Sequence, residues 1–305
     1  MSEPRPIVSG PMTADSTAAA NEPQVGKGSR SASADREADP GESGSGPAPG
    51  ALLSLVEISK HFGPVTALDK VNLDVPPGLV TALIGDNGAG KSTLIKVIAG
   101  IHEADHGGIY WDGKPVQIRT PSDATELGVA TVYQDLALCD NLDIVANMFL
   151  GVELRSHGML DETPMELKAK ETLAGLSVTS VRSIRQPVGS LSGGQRQSVA
   201  VARAVMGDAK LVIMDEPTAA LGVSQTAMVL ELIQRLAASG IAVLVISHNL
   251  IDVFSVADRV AILYLGRLVS SGPASDYDRQ SAVEIMTTGG LSERENGATG
   301  AGAAV

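Results

Sequence analysis

The stretch TALIGDNGAGKSTLIKVIAG, residues 81–100, decides the fold. An apolar run leads into GDNGAGKST at residues 85–93, which matches G-x-x-x-x-G-K-[ST], and a helix-like segment follows. A strand, a glycine-rich turn and a helix in this order make a phosphate-binding loop, because the helix-start amides point at phosphate oxygens. The stretch therefore predicts a nucleoside triphosphate site in an α/β domain.

Each residue type in this loop has its own expected task. The glycines let the backbone wrap closely, and the amides from Asn87 to Thr93 face the phosphates. Lys91 would supply a cation to the β and γ phosphates, and Ser92 a hydroxyl to Mg²⁺. The predicted contacts of this loop with ATP are Gly85, Asn87, Gly88, Ala89, Gly90, Lys91, Ser92 and Thr93.

Other apolar runs predict a mainly parallel sheet. Residues 129–133, 211–215 and 242–247, like 81–85, are continuously apolar, which is typical of strands covered on both faces. Helix-like segments fall between several of these runs, so we expect an α/β core. One of them, residues 223–238, is predicted to bury one face formed by Val223, Ala227, Leu230, Ile233 and Ala237.

Two regions depart from this alternation. Residues 53–58 and 71–75 look like half-buried strands of an antiparallel sheet. Residues 136–206 contain helix-like pieces without a strong strand, which predicts an inserted helical subdomain. Residues 1–50 and the end from Gly289 are poor in core-forming side chains, so we expect a disordered tail before the domain at 51–288 and a flexible tail at 289–305.

Polar residues follow the predicted parallel strands at their carboxyl ends, where ligands bind in open parallel sheets. Gln134 follows one strand and His248 another. Asp215 and Glu216 end a third; since neighbouring strand side chains point to opposite faces, we expect different tasks for them. Asp215 would hold the water shell of the metal, and Glu216 would orient and deprotonate the attacking water. One crevice could gather all of these side chains.

A second glycine-rich stretch, LSGGQ at residues 191–195, also precedes a helix-periodic segment. Taken in order with the phosphate loop, Gln134, LVIMDEP and His248, it resembles the nucleotide-binding subunit of an ABC transporter over residues 53 to about 288. The resemblance implies an α/β fold: the P-loop NTPase core of an ABC ATPase with a mainly parallel sheet, an antiparallel β subdomain and the inserted helical subdomain. The expected ligands are ATP as substrate and Mg²⁺.

The same resemblance implies that two subunits stack head to tail, each signature stretch closing on the nucleotide of its partner. Phe62 would stack on adenine, and His248 would contact the γ-phosphate. Gln134 would sense the metal and couple to the membrane subunit. The implied catalytic residues are therefore Glu216, His248 and Gln134, the implied metal ligands are Ser92, Gln134 and Asp215, and the residues implied to touch the partner's ATP are Ser192, Gly193, Gly194 and Gln195.

Longer segments around these motifs, such as VYQDLALCDNLDIVANMFLG and EPTAALGVSQ, resemble cassettes of bacterial monosaccharide importers. With one cassette and no internal repeat, the chain is expected to form a homodimer beneath a transmembrane permease, at the cytoplasmic face of the membrane as a peripheral protein. A periplasmic or extracellular sugar-binding protein is the implied indirect partner. Gly222 stands where many ABC subunits carry an aspartate, so any cross-subunit role of that aspartate cannot be transferred.

Composition narrows the alternatives. With 35 acidic and 23 basic residues the net charge is −12, so we expect no nucleic-acid partner. Cys139 is the only cysteine, so an intrachain disulfide is excluded. No apolar run approaches the roughly 20 residues of a membrane span. A soluble non-transport ABC ATPase and an importer of a non-sugar solute remain open, whereas a P-loop kinase or GTPase would leave LSGGQ unexplained.

Overall fold

The computed structural model describes residues 46–178 and 180–290. Most of both predicted tails, residues 1–50 and 289–305, lies outside this part of the chain. Within it the strands are β1 (Leu53–Phe62), β2 (Val65–Val75), β3 (Val80–Ile84), β4 (His106–Trp111), β5 (Lys114–Val116), β6 (Val129–Val132), β7 (Arg155–Ser156), β8 (Met159–Leu160), β9 (Leu211–Asp215), β10 (Ala242–Ile246), β11 (Arg259–Tyr264) and β12 (Arg267–Pro273).

The helices alternate with many of these strands. Short 3₁₀ turns at Val188–Ser190 and Ala274–Asp276 accompany them. In the described ranges the α-helices are α1 (Lys91–Ile98), α2 (Pro121–Leu127), α3 (Ile144–Phe149), α4 (Glu162–Gly175), α5 (Gly193–Val205), α6 (Val223–Ala238), α7 (Leu250–Val256) and α8 (Arg279–Thr288).

A six-stranded sheet forms the centre of the fold, in the order β12-β11-β3-β10-β9-β6. Neighbouring strands from β11 to β6 are parallel, and only β12 runs antiparallel to its neighbour. Every residue of β3 and β10 is buried, because helices cover one face of the sheet and α1 with the strands β1 and β2 covers the other. The predicted mainly parallel core is confirmed, and each predicted strand lies within one residue of its observed bounds.

The antiparallel sheet has four strands in the order β2-β1-β4-β5. The predicted pieces 53–58 and 71–75 are its first two strands, but both strands are longer than predicted, because a tight hairpin pairs Phe62 with Val65. The strands β4 and β5 were missed. In β4, His106–Trp111, the glycine pair Gly107–Gly108 lowers the intrinsic strand preference.

The segment between β6 and β9 is mainly helical, as the sequence predicts for residues 136–206. It holds α3, α4 and α5 together with a two-stranded hairpin, β7–β8, that was not predicted. These helices pack on α6 and the central sheet through one large apolar cluster. No helix in the described ranges is long and apolar enough to cross a membrane.

The predicted buried face of α6 is wrong in part. Val223 is 91% exposed and Ala227 is also exposed, whereas Ile233 and Ala237 are buried as predicted. The observed buried face of α6 shares Ile233 and Ala237 with the predicted face, but it begins later in the helix, at Val229. The buried residues of α6 are Val229, Leu232, Ile233, Leu236 and Ala237.

Candidate ATP site

A cavity of about 440 Å³ opens at the carboxyl ends of the parallel strands. Its volume falls in the range of small-molecule sites, roughly 300 to 1,000 Å³. The antiparallel sheet contributes one wall at the start of β2. The lining residues are Val65, Thr66, Ala67, Asn87, Gly88, Ala89, Gly90, Lys91, Ser92, Thr93, Gln134, Asp215, Glu216, Ala219 and His248.

The phosphate loop enters α1 through Gly90, whose φ of 105° lies in the left-handed region. No side chain caps the start of α1. An uncapped helix start directed into a cavity offers backbone N–H groups and a positive dipole end to an anion. A Cβ at Gly90 would lie 2.7 Å from the carbonyl oxygen of Ala67, and a Cβ at Gly85 would lie 2.4 Å from that of Leu263. These glycines are therefore required for packing as well as for the turn.

Lys91 is buried at the base of this loop. Its Nζ donates to the carbonyl oxygens of Gly85, at 2.6 Å, and Asp86, at 3.0 Å. Burial lowers the pKa of Lys91, and the nearby carboxylates of Glu216, Asp86 and Asp215 oppose that effect. The ammonium group is thus held in place among acidic groups, beside the helix start that would receive the phosphates.

Asp215 and Glu216 both line the cavity, so the expectation that they point to opposite faces is wrong. The reason is local: β9 ends at Asp215, and Glu216 has a φ of 50°, which reverses the alternation of a strand. The Glu216 amide donates to the Ile246 carbonyl at 2.9 Å, which fixes this turn against β10. Burial and the neighbouring Glu216 raise the pKa of Asp215, while Lys91 lowers it.

His248 lies directly against Glu216. Its Nδ1 is 2.7 Å from Oε1 of Glu216, and since a carboxylate oxygen only accepts, the imidazole proton sits on Nδ1. The histidine side chain is 68% exposed while that of Glu216 is 16% exposed. The imidazole thus lies between the carboxylate and the open side of the cavity, where a phosphate would enter.

The predicted metal ligands Ser92, Gln134 and Asp215 line the same cavity. No group of three or more His, Cys, Asp or Glu side chains suited to a metal occurs among the described residues. This donor set fits Mg²⁺ delivered with a nucleotide, because Mg²⁺ usually takes one or two protein carboxylates and completes its shell with water and phosphate oxygens.

Phe62 does not line the cavity, although its cross-strand partner Val65 does. The Phe62 ring is 44% exposed and contacts His102 edge to face, with 5.2 Å between ring centroids. Nζ of Lys60 lies 5.7 Å from the Phe62 centroid. The ring therefore lies on the antiparallel sheet outside the cavity lining, and its stacking on adenine stays a prediction.

The signature residues Ser192, Gly193, Gly194 and Gln195 are also absent from the cavity lining. Within the subunit, Oγ of Ser192 accepts from the Gln195 amide and Oε1 of Gln195 accepts from the Ser192 amide, which caps α5. Gly193 and Gly194 lie against the start of α6: a Cβ at Gly194 would lie 3.1 Å from Cβ of Gln225. No local sequence pattern predicts this packing role.

A second concave surface, here called the apolar groove, lies beside the helical subdomain and has a volume of about 560 Å³. Tyr133 and Asp135 line it, while Gln134 between them lines the nucleotide cavity. The segment after β6 thus faces both sites. The exposed apolar side chains of the groove are Tyr133, Leu150, Val152 and Leu154.

Comparison with known proteins gives consistent results. The model of the family described as ABC transporter matches residues 68–219, which include the phosphate loop and LSGGQ. The fructose import ATP-binding protein FrcA of Rhizobium meliloti is 47% identical, over 77% of this chain and 94% of that protein. The xylose/arabinose import ATP-binding protein XylG of Sulfolobus acidocaldarius is 44% identical, over 78% and 94%.

Longer relatives match over part of their length. The ribose import ATP-binding protein RbsA 2 of Escherichia coli O157:H7 is 39% identical over 80% of this chain but only 48% of that protein, so the chain spans about half of it. Among solved structures, the ADP conformation of MJ1267, an ATP-binding cassette of an ABC transporter, has a TM-score of 0.68 at 28% identity, over 81% of this chain and 99% of that one. The dimeric cassette MJ0796 has a TM-score of 0.62 at 24% identity, over 73% and 98%, and shows likeness of fold.

Proposed function

The chain belongs to the ABC transporter family, and from that premise we propose that two copies of it bind and hydrolyse Mg-ATP between them to drive uptake of a monosaccharide through a separate permease. ATP hydrolysis is the family activity that the cavity can accommodate. The observation that carries the proposal is the convergence of the phosphate loop, Asp215, Glu216 and His248 on one cavity.

The residues divide the work of hydrolysis by their chemistry. The α1 amides and Lys91 hold the phosphates and neutralise the charge that develops on them. Glu216 is the general base, because its carboxylate faces the cavity and can accept a proton from water. His248, already bonded to Glu216, orients that carboxylate and would lie beside the γ-phosphate. Mg²⁺, bound through Ser92, Asp215 and Gln134, would neutralise phosphate charge.

The proposed dimer would add a second helix start to the cavity of each subunit. LSGGQ caps α5 in a position away from the cavity, yet its helix start is a suitable ligand for a phosphate. A second copy placed head to tail would bring that helix start to the open side of the nucleotide. ATP then stabilises the closed pair through its higher affinity for the complete site, and hydrolysis reopens it.

The apolar groove is the proposed contact with the permease. It exposes Tyr133, Leu150, Val152 and Leu154 side by side, and grouped apolar side chains of this kind mark interaction surfaces. Because Gln134 and Tyr133 are consecutive, a shift of Gln134 on nucleotide binding would be passed to the groove wall. In this proposal the subunit is a peripheral protein at the cytoplasmic face of the membrane, and an external sugar-binding protein acts through the permease.

A monosaccharide is the proposed cargo because two relatives that this chain covers along most of their length are named for fructose and for xylose/arabinose import. Selectivity itself would reside in the permease and the external binding protein. This chain would hydrolyse ATP to drive transport and would not itself recognise the sugar.

The test is to purify the subunit with its membrane partners, reconstitute the complex in liposomes and measure ATP turnover with a panel of fructose, xylose, ribose and amino acids. We expect a permease to co-purify and one sugar to stimulate turnover. Lys91→Ala is the matched inactive control, since its loss should weaken ATP binding by roughly 1.5 to 3 kcal/mol.

If only an amino acid stimulated ATP turnover, the transported solute would not be a sugar. Isolation without any membrane protein, with full ATP turnover, would support a non-transport ATPase instead.

A further inference from the structure

Glu216, the proposed general base, and His248 lie on two different loops and contact each other. A second hydrogen bond joins the same two loops away from the cavity. Glu216 follows β9 and His248 follows β10. Two residues after Glu216, Oγ1 of Thr218 donates to Oδ2 of Asp252 at 2.6 Å. Asp252 lies in the first turn of α7, four residues after His248, and is buried at 9% exposure.

The pair is built into the structure on both sides. On the α7 side, Asn249 caps the helix by accepting from the Ile251 amide, and the Asn249 amide donates to Oγ of Ser247. The short connection from β10 to Asp252 is therefore fixed by its own hydrogen bonds. Separating the two loops would break this hydrogen bond and leave the buried carboxylate of Asp252 without its hydroxyl donor, which costs free energy. The pair therefore favours one distance between the loop after β9 and the loop after β10.

The loop that carries Glu216 needs hydrogen bonds that hold its backbone in place. Glu216 adopts a φ of 50°, which is uncommon for a side chain of its type and persists only where surrounding contacts impose it. The Glu216 amide is tied to β10 on one side, and Thr218 is tied to α7 on the other. Together these two bonds hold the loop at both ends of the Glu216–Thr218 segment.

We propose that the Thr218–Asp252 hydrogen bond is a positioning pair that sets the distance between Glu216 and His248 for ATP hydrolysis. This inference rests on the proposed function and extends it to two residues outside the cavity. Neither side chain lines the cavity, so the pair acts through the loops and touches no substrate. Its effect belongs to the chemical step rather than to binding.

The test compares Thr218→Val, which keeps the shape but removes the donor, with Thr218→Ser, which keeps the hydroxyl. We expect Thr218→Val to lower kcat by roughly 10- to 100-fold, the cost of a misplaced catalytic group, with unchanged Kd for ATP. Thr218→Ser should restore most of the rate. Ser270→Ala, which removes a hydroxyl bonded to Tyr277 far along the chain, is the matched control and should hydrolyse ATP normally.

A second variant guards against failure to fold. The double replacement Thr218→Val with Asp252→Leu also removes the buried carboxylate and leaves an apolar pair, which can be nearly neutral for stability. It should stay folded by thermal unfolding and remain slow in hydrolysis.

Wild-type kcat in either Val-containing protein overturns the pairing role, as does a Ser variant no faster than Thr218→Val, or a loss confined to ATP affinity. Failure of the wild-type protein to hydrolyse ATP would instead contradict the proposed function.

Discussion

At the scale of single residues, Glu216 combines a left-handed backbone, a cavity-facing carboxylate and a bond to His248. Glu216→Gln keeps the size of the side chain but removes the base. We expect it to bind ATP normally and hydrolyse it roughly 10² to 10⁴ times more slowly, the usual contribution of a general base. Glu126→Gln, an exposed change on α2, is the matched control. Near-normal turnover in a single-turnover assay would remove Glu216 from the mechanism.

Asp215 allows a test of stability against pH. Burial raises its folded-state pKa above the ordinary value of 3.8, so its charge destabilises the nucleotide-free fold at neutral pH. Asp215→Asn should therefore raise the thermal unfolding midpoint at pH 7. This increase in the unfolding midpoint should be complete above the raised pKa of Asp215 and should shrink as the pH falls through that pKa. It should vanish below the ordinary pKa of 3.8. A gain that stayed constant down to acidic pH would contradict the desolvation argument.

Much of the site could be predicted at this scale because motif residues are adjacent in sequence. The phosphate-loop residues 87–93 line one cavity with Asp215, Glu216, Gln134 and His248, as expected for residues at the carboxyl ends of parallel strands. Gly85 is absent from that lining and packs against Leu263. The shared face of the two carboxylates could not be predicted, since it depends on the reversed φ of Glu216. The Thr218–Asp252 contact joins two loops distant in sequence, and no local pattern marks it.

At the scale of elements, the glycines of LSGGQ let α5 approach α6. Gly194→Ala would place Cβ 3.1 Å from Cβ of Gln225 and 3.3 Å from its Cα, so the helices must separate slightly. We expect a net loss of about 1 to 3 kcal/mol, typical of overpacking. Gly175→Ala, in α4 with nothing within 4 Å, is the control and should stabilise by up to about 1 kcal/mol through helix propensity. Denaturant unfolding of both variants measures the difference.

The elements that the sequence predicts best are the buried parallel strands β3, β9 and β10, each of which is a continuous apolar run. The hairpin β11–β12 was not predicted, although β11 is also a buried parallel strand. Its second strand, RLVSSGP, has few buried side chains to produce a pattern. The buried stripe of α6 was misplaced for a different reason. Two helical stripes fit the same residues equally well, and only the position of the sheet decides between them.

At the scale of the whole molecule, the head-to-tail dimer makes a separable prediction. Ser192→Arg should bind ATP as a monomer yet fail to form ATP-induced dimers in the Glu216→Gln background, because the bulky cation blocks the signature surface. Ser192→Ala also removes the helix cap, at about 1 kcal/mol, but leaves that surface open, so it should still dimerise. Sedimentation with and without ATP distinguishes them, and ATP-induced dimers of Ser192→Arg would count against the arrangement.

A mixture tests the trans geometry directly. Ser192→Arg and Lys91→Ala subunits should together form one intact composite site, with the loop from the first and the signature from the second. Mixing should therefore restore part of the hydrolysis that each variant lacks alone. No recovery at any ratio would argue against the trans site.

The cavity wall at Val65, Thr66 and Ala67 has a consequence for how the protein melts. One bound molecule would touch the antiparallel sheet, the start of α1 and the strand ends of the central sheet at the same time. Ligand affinity for this composite surface is lost as soon as either sheet separates, so saturation should stabilise both sheets together. Calorimetry of the loaded protein should therefore show a later melting transition than calorimetry of the empty protein.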